Sequence, residues 1–119
     1  MSVKSTHKDY DRMLSAWQRC RDCVSGNDAI KAAGPLYLPR LGEQTETEYQ
    51  AYKMRALYYS ATWRTIAGLS GMLFRKDPAV DAPDSVLPML DDVTMSGIPI
   101  NVFLQDVATE ALTVGRVGV

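Results

Sequence analysis

The sequence predicts a mainly α-helical protein, several helices around one long central helix, and three observations predict it. Apolar residues recur at steps of three and four through most of the chain, the period that gathers them on one helical face. Helix-ending signals follow these periodic stretches: Ser25-Gly26-Asn27-Asp28, then Asp77-Pro78, then Gly115. The one β-prone run is Arg116 to Val119.

The central element is Thr45 to Phe74, read as one long helix or two helices in line. Tyr49, Tyr52, Ala56, Tyr59, Trp63 and Ile66 follow at steps of three and four and line one face, while Met54, Leu57, Tyr58, Ala61, Leu69 and Met72 fall roughly opposite. Glu46, Lys53 and Arg64 form a polar strip between them. A helix apolar on two sides must be covered on two sides, which a lone domain of this size seldom needs. Thr45 with Glu48 three residues later forms a capping box, and the early glutamates suit the positive end of the helix dipole. Gly68 and Gly71 each weaken the far end by roughly 1 kcal/mol relative to alanine, so close approach of another backbone or a kink is expected there.

The other elements follow in order. Residues 1–8 read as a flexible arm and residues 9–115 as one helical segment. Asp9 to Val24 is an amphipathic helix whose stripe is Tyr10, Met13, Leu14, Trp17, Cys20 and Val24. Gly26 stops it, and Asn27 or Asp28 can cap a short turn from Ala29 to Ala33. Leu36 to Gly42 cannot continue a helix, because Pro39 lacks an amide donor and pushes Leu38 towards extended geometry; the segment should be pinned by Leu36, Leu38 and Leu41. Asp84 is placed to cap a short helix through Leu90, and Asp91-Asp92 belong to a turn. Asn101 is the expected cap of the last helix, whose stripe is Phe103, Val107, Ala111 and Val114 and whose end is Gly115. Residues 116–119 then read as the start of a strand that would enter a sheet in a longer chain.

The 13 basic and 14 acidic residues give a formal net charge of -1, which excludes a broadly basic nucleic-acid surface. The N-terminus lacks the apolar core of a signal peptide, and no apolar run approaches the ~20 residues of a membrane span, so a soluble chain is expected. Cys20 and Cys23 form a Cys-x-x-Cys pair late in a helical pattern. They read as structural thiols, as half of an intermolecular metal site or as a redox pair. A zinc site needs two more ligands, and His7 is the single histidine. Catalysis finds no foothold: there is no glycine-rich phosphate loop, and neither Ser70 nor Cys20 has an identifiable base. No enzymatic activity and no cofactor are therefore expected.

Several segments, in order, resemble the N-terminal region of tailed-bacteriophage portal proteins. They are Tyr10 with Trp17 and Arg19 to Asp22, then Tyr37-Leu38-Pro39, Tyr49 to Ala56, Gly68 to Pro78 and the tail Gly115 to Val119. The resemblance implies a structural wing segment of a ring, usually of twelve subunits, at one capsid vertex, and hence a virion protein assembled in the bacterial host cytoplasm. It also implies partners: other portal subunits, capsid and scaffold proteins, terminase and head-tail connectors through regions absent here, and DNA in the full-length channel, with no membrane. Candidate packing or subunit contacts are Tyr49, Tyr52, Tyr59, Trp63 and Ile66; candidate phosphate contacts are Arg64, Arg75 and Lys76. Two alternatives stay open: a self-contained helical adaptor or head-completion module, and a small redox or metal protein using Cys20 and Cys23.

Overall fold

The computed structural model describes residues 5–118. Its described residues form five α-helices and two short 3-10 helices with no strand: α1 (Lys8–Ser25), α2 (Asn27–Ala33), a 3-10 turn (Gly34–Leu36), α3 (Glu46–Arg55), α4 (Ala61–Leu73), a second 3-10 turn (Leu87–Asp91) and α5 (Ile100–Val114). The mainly helical class is thus as the periodicity predicts. The chain divides into two compact units, Met1–Trp63 and Arg64–Val119. No helix among the described residues is long and apolar enough to cross a membrane.

In the first unit, α1 starts one residue earlier than expected because His7, assigned to the arm, caps it: its Nδ1 accepts from the Asp9 amide at 3.2 Å. Residues 1–4 of that arm lie outside the described residues. The stripe of α1 is only partly used. Tyr10, Met13 and Leu14 are exposed, whereas Trp17 and Val24 are half-buried, with Tyr10 edge-on to Trp17 at 5.3 Å between ring centres. Gly26, at φ 86° and ψ -149°, ends α1 and opens α2 at once. Few L-residues accept that backbone, and a Cβ there would lie 3.0 Å from the Ser60 hydroxyl. The one-residue corner lays α2 against α1 and makes Asn27 the first residue of α2. The side-chain cap expected from Asn27 or Asp28 is therefore absent.

The segment after α2 also differs from expectation. Leu36 begins as part of a 3-10 turn, and Leu36 and Leu41 are 71% and 69% exposed, so they pin nothing. The pin is the backbone: the Tyr49 hydroxyl donates to the Leu38 carbonyl at 3.1 Å. Tyr49 is buried, its ring carries the Arg40 guanidinium 4.5 Å from its centre, and Arg40 pairs in turn with Glu46. The Gln50 amide and then Arg40 hold the Glu46 carboxyl below the usual carboxylate range.

The capping box of α3 forms as the sequence predicts, with the Glu48 amide donating to the Thr45 hydroxyl oxygen and the Thr45 amide to the Glu48 carboxylate at 2.9 Å. Bonds from the Thr45 hydroxyl and amide hold the Glu48 carboxyl below its ordinary value. Thr45→Ala should therefore cost about 1 kcal/mol in urea denaturation. Folding lowers this carboxyl's proton affinity, so the cap's contribution is present above the unfolded carboxylate pKa and disappears as pH falls through the lowered folded value. The gap between wild type and Thr45→Ala should narrow accordingly in acid.

Of the two forms expected for Thr45 to Phe74, one long helix or two in line, the structure has two helices, α3 and α4, separated by the non-helical stretch Ala56–Ser60. No glycine or proline marks the break; two side chains of α2 make it. A continuous helix would have the Tyr58 amide donate to the Met54 carbonyl. Here the Tyr58 amide donates to Asn27 Oδ1 at 3.3 Å, and the Met54 carbonyl accepts from Lys31 Nζ at 2.8 Å. Both groups of the missing helical bond are satisfied, so the break leaves neither unpaired.

In the second unit, Ile66 and Ser70 are the buried residues of α4, four apart on one face. Space around Gly68 and Gly71 is open among the described residues, with no atom within 4 Å of a Cβ built at either, so no close approach explains them there. The segment expected as a helix from Asp84 forms a turn and then a 3-10 helix around Pro88. Asp92 closes the following turn by accepting from the Ser96 amide at 2.9 Å, and the Val93 amide donates to the Ile98 carbonyl at 3.0 Å. Helix α5 begins at Ile100 behind Pro99, so Asn101, the expected cap, lies inside the first turn. Phe103, Val107, Ala111 and Val114 are half-buried, and Gly115 ends the helix as predicted, in the left-handed conformation. Arg116 to Gly118 adopt no regular structure, and Val119 lies outside the described residues.

Candidate docking cleft

The break between α3 and α4 borders a concavity of the first unit. It is a cleft of about 290 Å³ lined by the apolar side chains Ile30, Leu38, Ala56 and Leu57, with Cys23, Tyr37 and Tyr58 beside them. Arg19, Asn27 and Lys31 supply its polar wall. Helix α1 brings Arg19 and Cys23 to one side, four residues apart; α2 brings Asn27, Ile30 and Lys31 at steps of three and one, and the broken helix supplies the rest. Leu57, 92% exposed, stands at the rim as an apolar side chain left in water.

Two hydroxyls fix the cleft's polar edge. The Tyr37 hydroxyl donates to Asp22 Oδ2 at 2.7 Å, and that bond, with burial and the Asp22 charge, pushes its pKa up to about 12. The Tyr58 hydroxyl is raised mainly by its hydrogen bond with the Cys23 side chain and by burial, while Thr62 opposes the shift. Tyr37 loses its proton at about pH 10 in the unfolded chain, so its contribution to stability is complete below that pH and is lost as pH rises towards 12. Absorbance titration at alkaline pH should show Tyr37 and Tyr58 ionising later than the other tyrosines, and Asp22→Asn should bring Tyr37 back towards the ordinary range.

The thiols are both free: Cys20 is exposed, and Cys23 is half-buried in the cleft wall. Among the described residues no group of three or more histidine, cysteine, aspartate or glutamate side chains is arranged to hold a metal ion. The Ser70 hydroxyl is buried without a hydrogen-bond partner among the described residues, so no base touches it. Protein-family models give no match to this chain, and curated proteins give none.

The candidate contact residues are dispersed. Tyr49 and Ile66 are buried, Tyr52 is half-buried, and Tyr59 and Trp63 are exposed at 71% and 53%. The stripe assumed one unbroken helix, and the break resets the angular phase after Ala56. Trp63→Ala should accordingly cost less in a thermal melt than the about 3 to 5 kcal/mol of a fully buried aromatic, because 53% of the residue already meets solvent. Arg64, Arg75 and Lys76 are all exposed in the second unit, Arg64 on α4 and the others just after it. None of them borders the cleft. The cleft left one trace in the sequence, Asn27, a residue suited to capping whose neighbour Gly26 takes that position.

Proposed function

We propose that this chain is a structural segment of a tailed-phage portal protein, without enzymatic activity, contributing to the outer wing of the ring at the capsid vertex. Its partners in this reading are other portal subunits, with capsid and scaffold proteins alongside; packaging of DNA and head-tail joining belong to the whole ring. The ordered resemblance of segments from Tyr10 to Val119 supports the family. The observation that carries the structural role is apolar side chains left open along the broken helix. Met54, Leu57, Tyr59, Met72 and Leu73 are each more than 60% exposed. In each unit, apolar side chains left in water favour burial against another protein surface. Tyr59, the aromatic among them, suits an interface, where tyrosine keeps a hydrated tip.

The test is direct. Purification of the whole gene product containing this segment, followed by negative-stain electron microscopy, should show rings with a central channel. A product that stays monomeric, or forms a small closed oligomer without a channel, would overturn the portal reading and leave the adaptor reading standing.

A further inference from the structure

Charge is divided unequally between the two units. Residues 1–63 carry nine basic and seven acidic side chains, whereas residues 64–119 carry four and seven, so the first unit is positive by two and the second negative by three. Asp77 to Asp92 concentrates this excess, with five aspartates and no lysine or arginine. Within it the Leu87–Asp91 turn holds Leu87 and Met89 outward, 43% and 65% exposed. Asp84, Asp91 and Asp92 beside them are exposed as well.

The cleft of the first unit has the complementary chemistry. Its floor is apolar, and Arg19 and Lys31 are the ionised side chains that line it. Asp22 lies outside the lining, its carboxylate accepting from the Tyr37 hydroxyl at the edge, so the two cations exceed it by one charge. A cleft of about 290 Å³ has room for a methionine side chain and part of a second aliphatic one.

We propose that the cleft receives the Leu87–Asp91 turn of a second copy of this chain, with Met89 on the apolar floor and Asp91 and Asp92 facing Arg19 and Lys31. A short tight turn can enter a concave site that the flank of a long helix cannot. Apolar surface around Arg64, Arg75 and Lys76 would instead bring like charge to this wall. The two surfaces differ, so the contact is head-to-tail: each copy offers a turn to one neighbour and a cleft to another. Such contacts propagate into a closed ring or an open filament rather than stopping at a pair. The inference rests on the portal reading only for the expectation that copies meet; the surfaces are chosen by charge and shape.

A cross-linking experiment tests it. In a Cys20→Ser, Met89→Cys variant of the full chain, the two thiols are that of Cys23 in the cleft and the one introduced on the turn. A short bismaleimide should give a ladder of dimers and larger species on a denaturing gel, fading as salt is raised and absent when Cys23→Ser is added. Cross-linked monomer alone, or no cross-link, overturns the contact. As a second reading, Asp91→Arg with Asp92→Arg should weaken self-association several-fold by sedimentation, as should Arg19→Asp, and the three together should recover much of the loss. Absence of that recovery counts equally against it. Rings of the whole gene product without any Cys23 cross-link would sink this contact while leaving the portal reading intact.

Discussion

Replacing Tyr49 with alanine should destabilise the protein by about 3 to 5 kcal/mol, as deletion of a buried aromatic ring does. Tyr49 is 3% exposed, and its side chain does three things at once. The ring fills the centre of the first unit, its face carries the Arg40 guanidinium at 4.5 Å, and its hydroxyl fixes the Leu38 carbonyl at 3.1 Å. A Cβ on Gly34 would lie 3.5 Å from the same hydroxyl, so the tip is packed against the corner that follows α2. Tyr49→Phe separates these contributions: it keeps the ring and removes one neutral hydrogen bond, for an expected loss of ~1 kcal/mol. Urea denaturation of both variants measures the two numbers. Equal losses would show that the hydrogen bond, rather than the ring, holds the unit together.

Ile66→Ala should be the next largest loss, about 2 to 5 kcal/mol. Ile66, at 7% exposure, is the buried apolar side chain of the second unit among the described residues. Its neighbours along α4 offer internal controls, because Met72 and Leu73 are 68% and 63% exposed. Alanine at either should change stability by no more than about 0.5 kcal/mol. A thermal melt in which Leu73→Ala matches Ile66→Ala would contradict the burial on which this rests. Ile66→Val, removing one methylene without changing branching, should cost about 1 kcal/mol.

These expectations sit unevenly with the periodic pattern. The stripe Tyr49, Tyr52, Ala56, Tyr59, Trp63 and Ile66 contains the two residues with the largest predicted effects, yet it also contains Tyr59 and Trp63, which the structure leaves in solvent. Periodicity reports which residues share a face of a helix; it does not report whether the helix is continuous. Signals that act within a few residues were legible: the Thr45–Glu48 box, the stop at Gly26, the turn at Asp91-Asp92 and the helix end at Gly115. Asn27 and Asn101 were misread as caps because Gly26 and Pro99, one or two positions earlier, take the boundary. The cleft left no signal beyond Asn27, since its lining joins Arg19 to Tyr58 across most of the first unit.

The sequence by itself determined the helical class, most of the helix boundaries and the excess of apolar surface, because each follows from backbone and side-chain preferences over a few turns. Only the tertiary structure decided where the central helix breaks. Asn27 and Lys31 satisfy the Tyr58 amide and the Met54 carbonyl from another helix, at 3.3 and 2.8 Å, and that exchange of hydrogen-bond partners has no counterpart in the residues around the break.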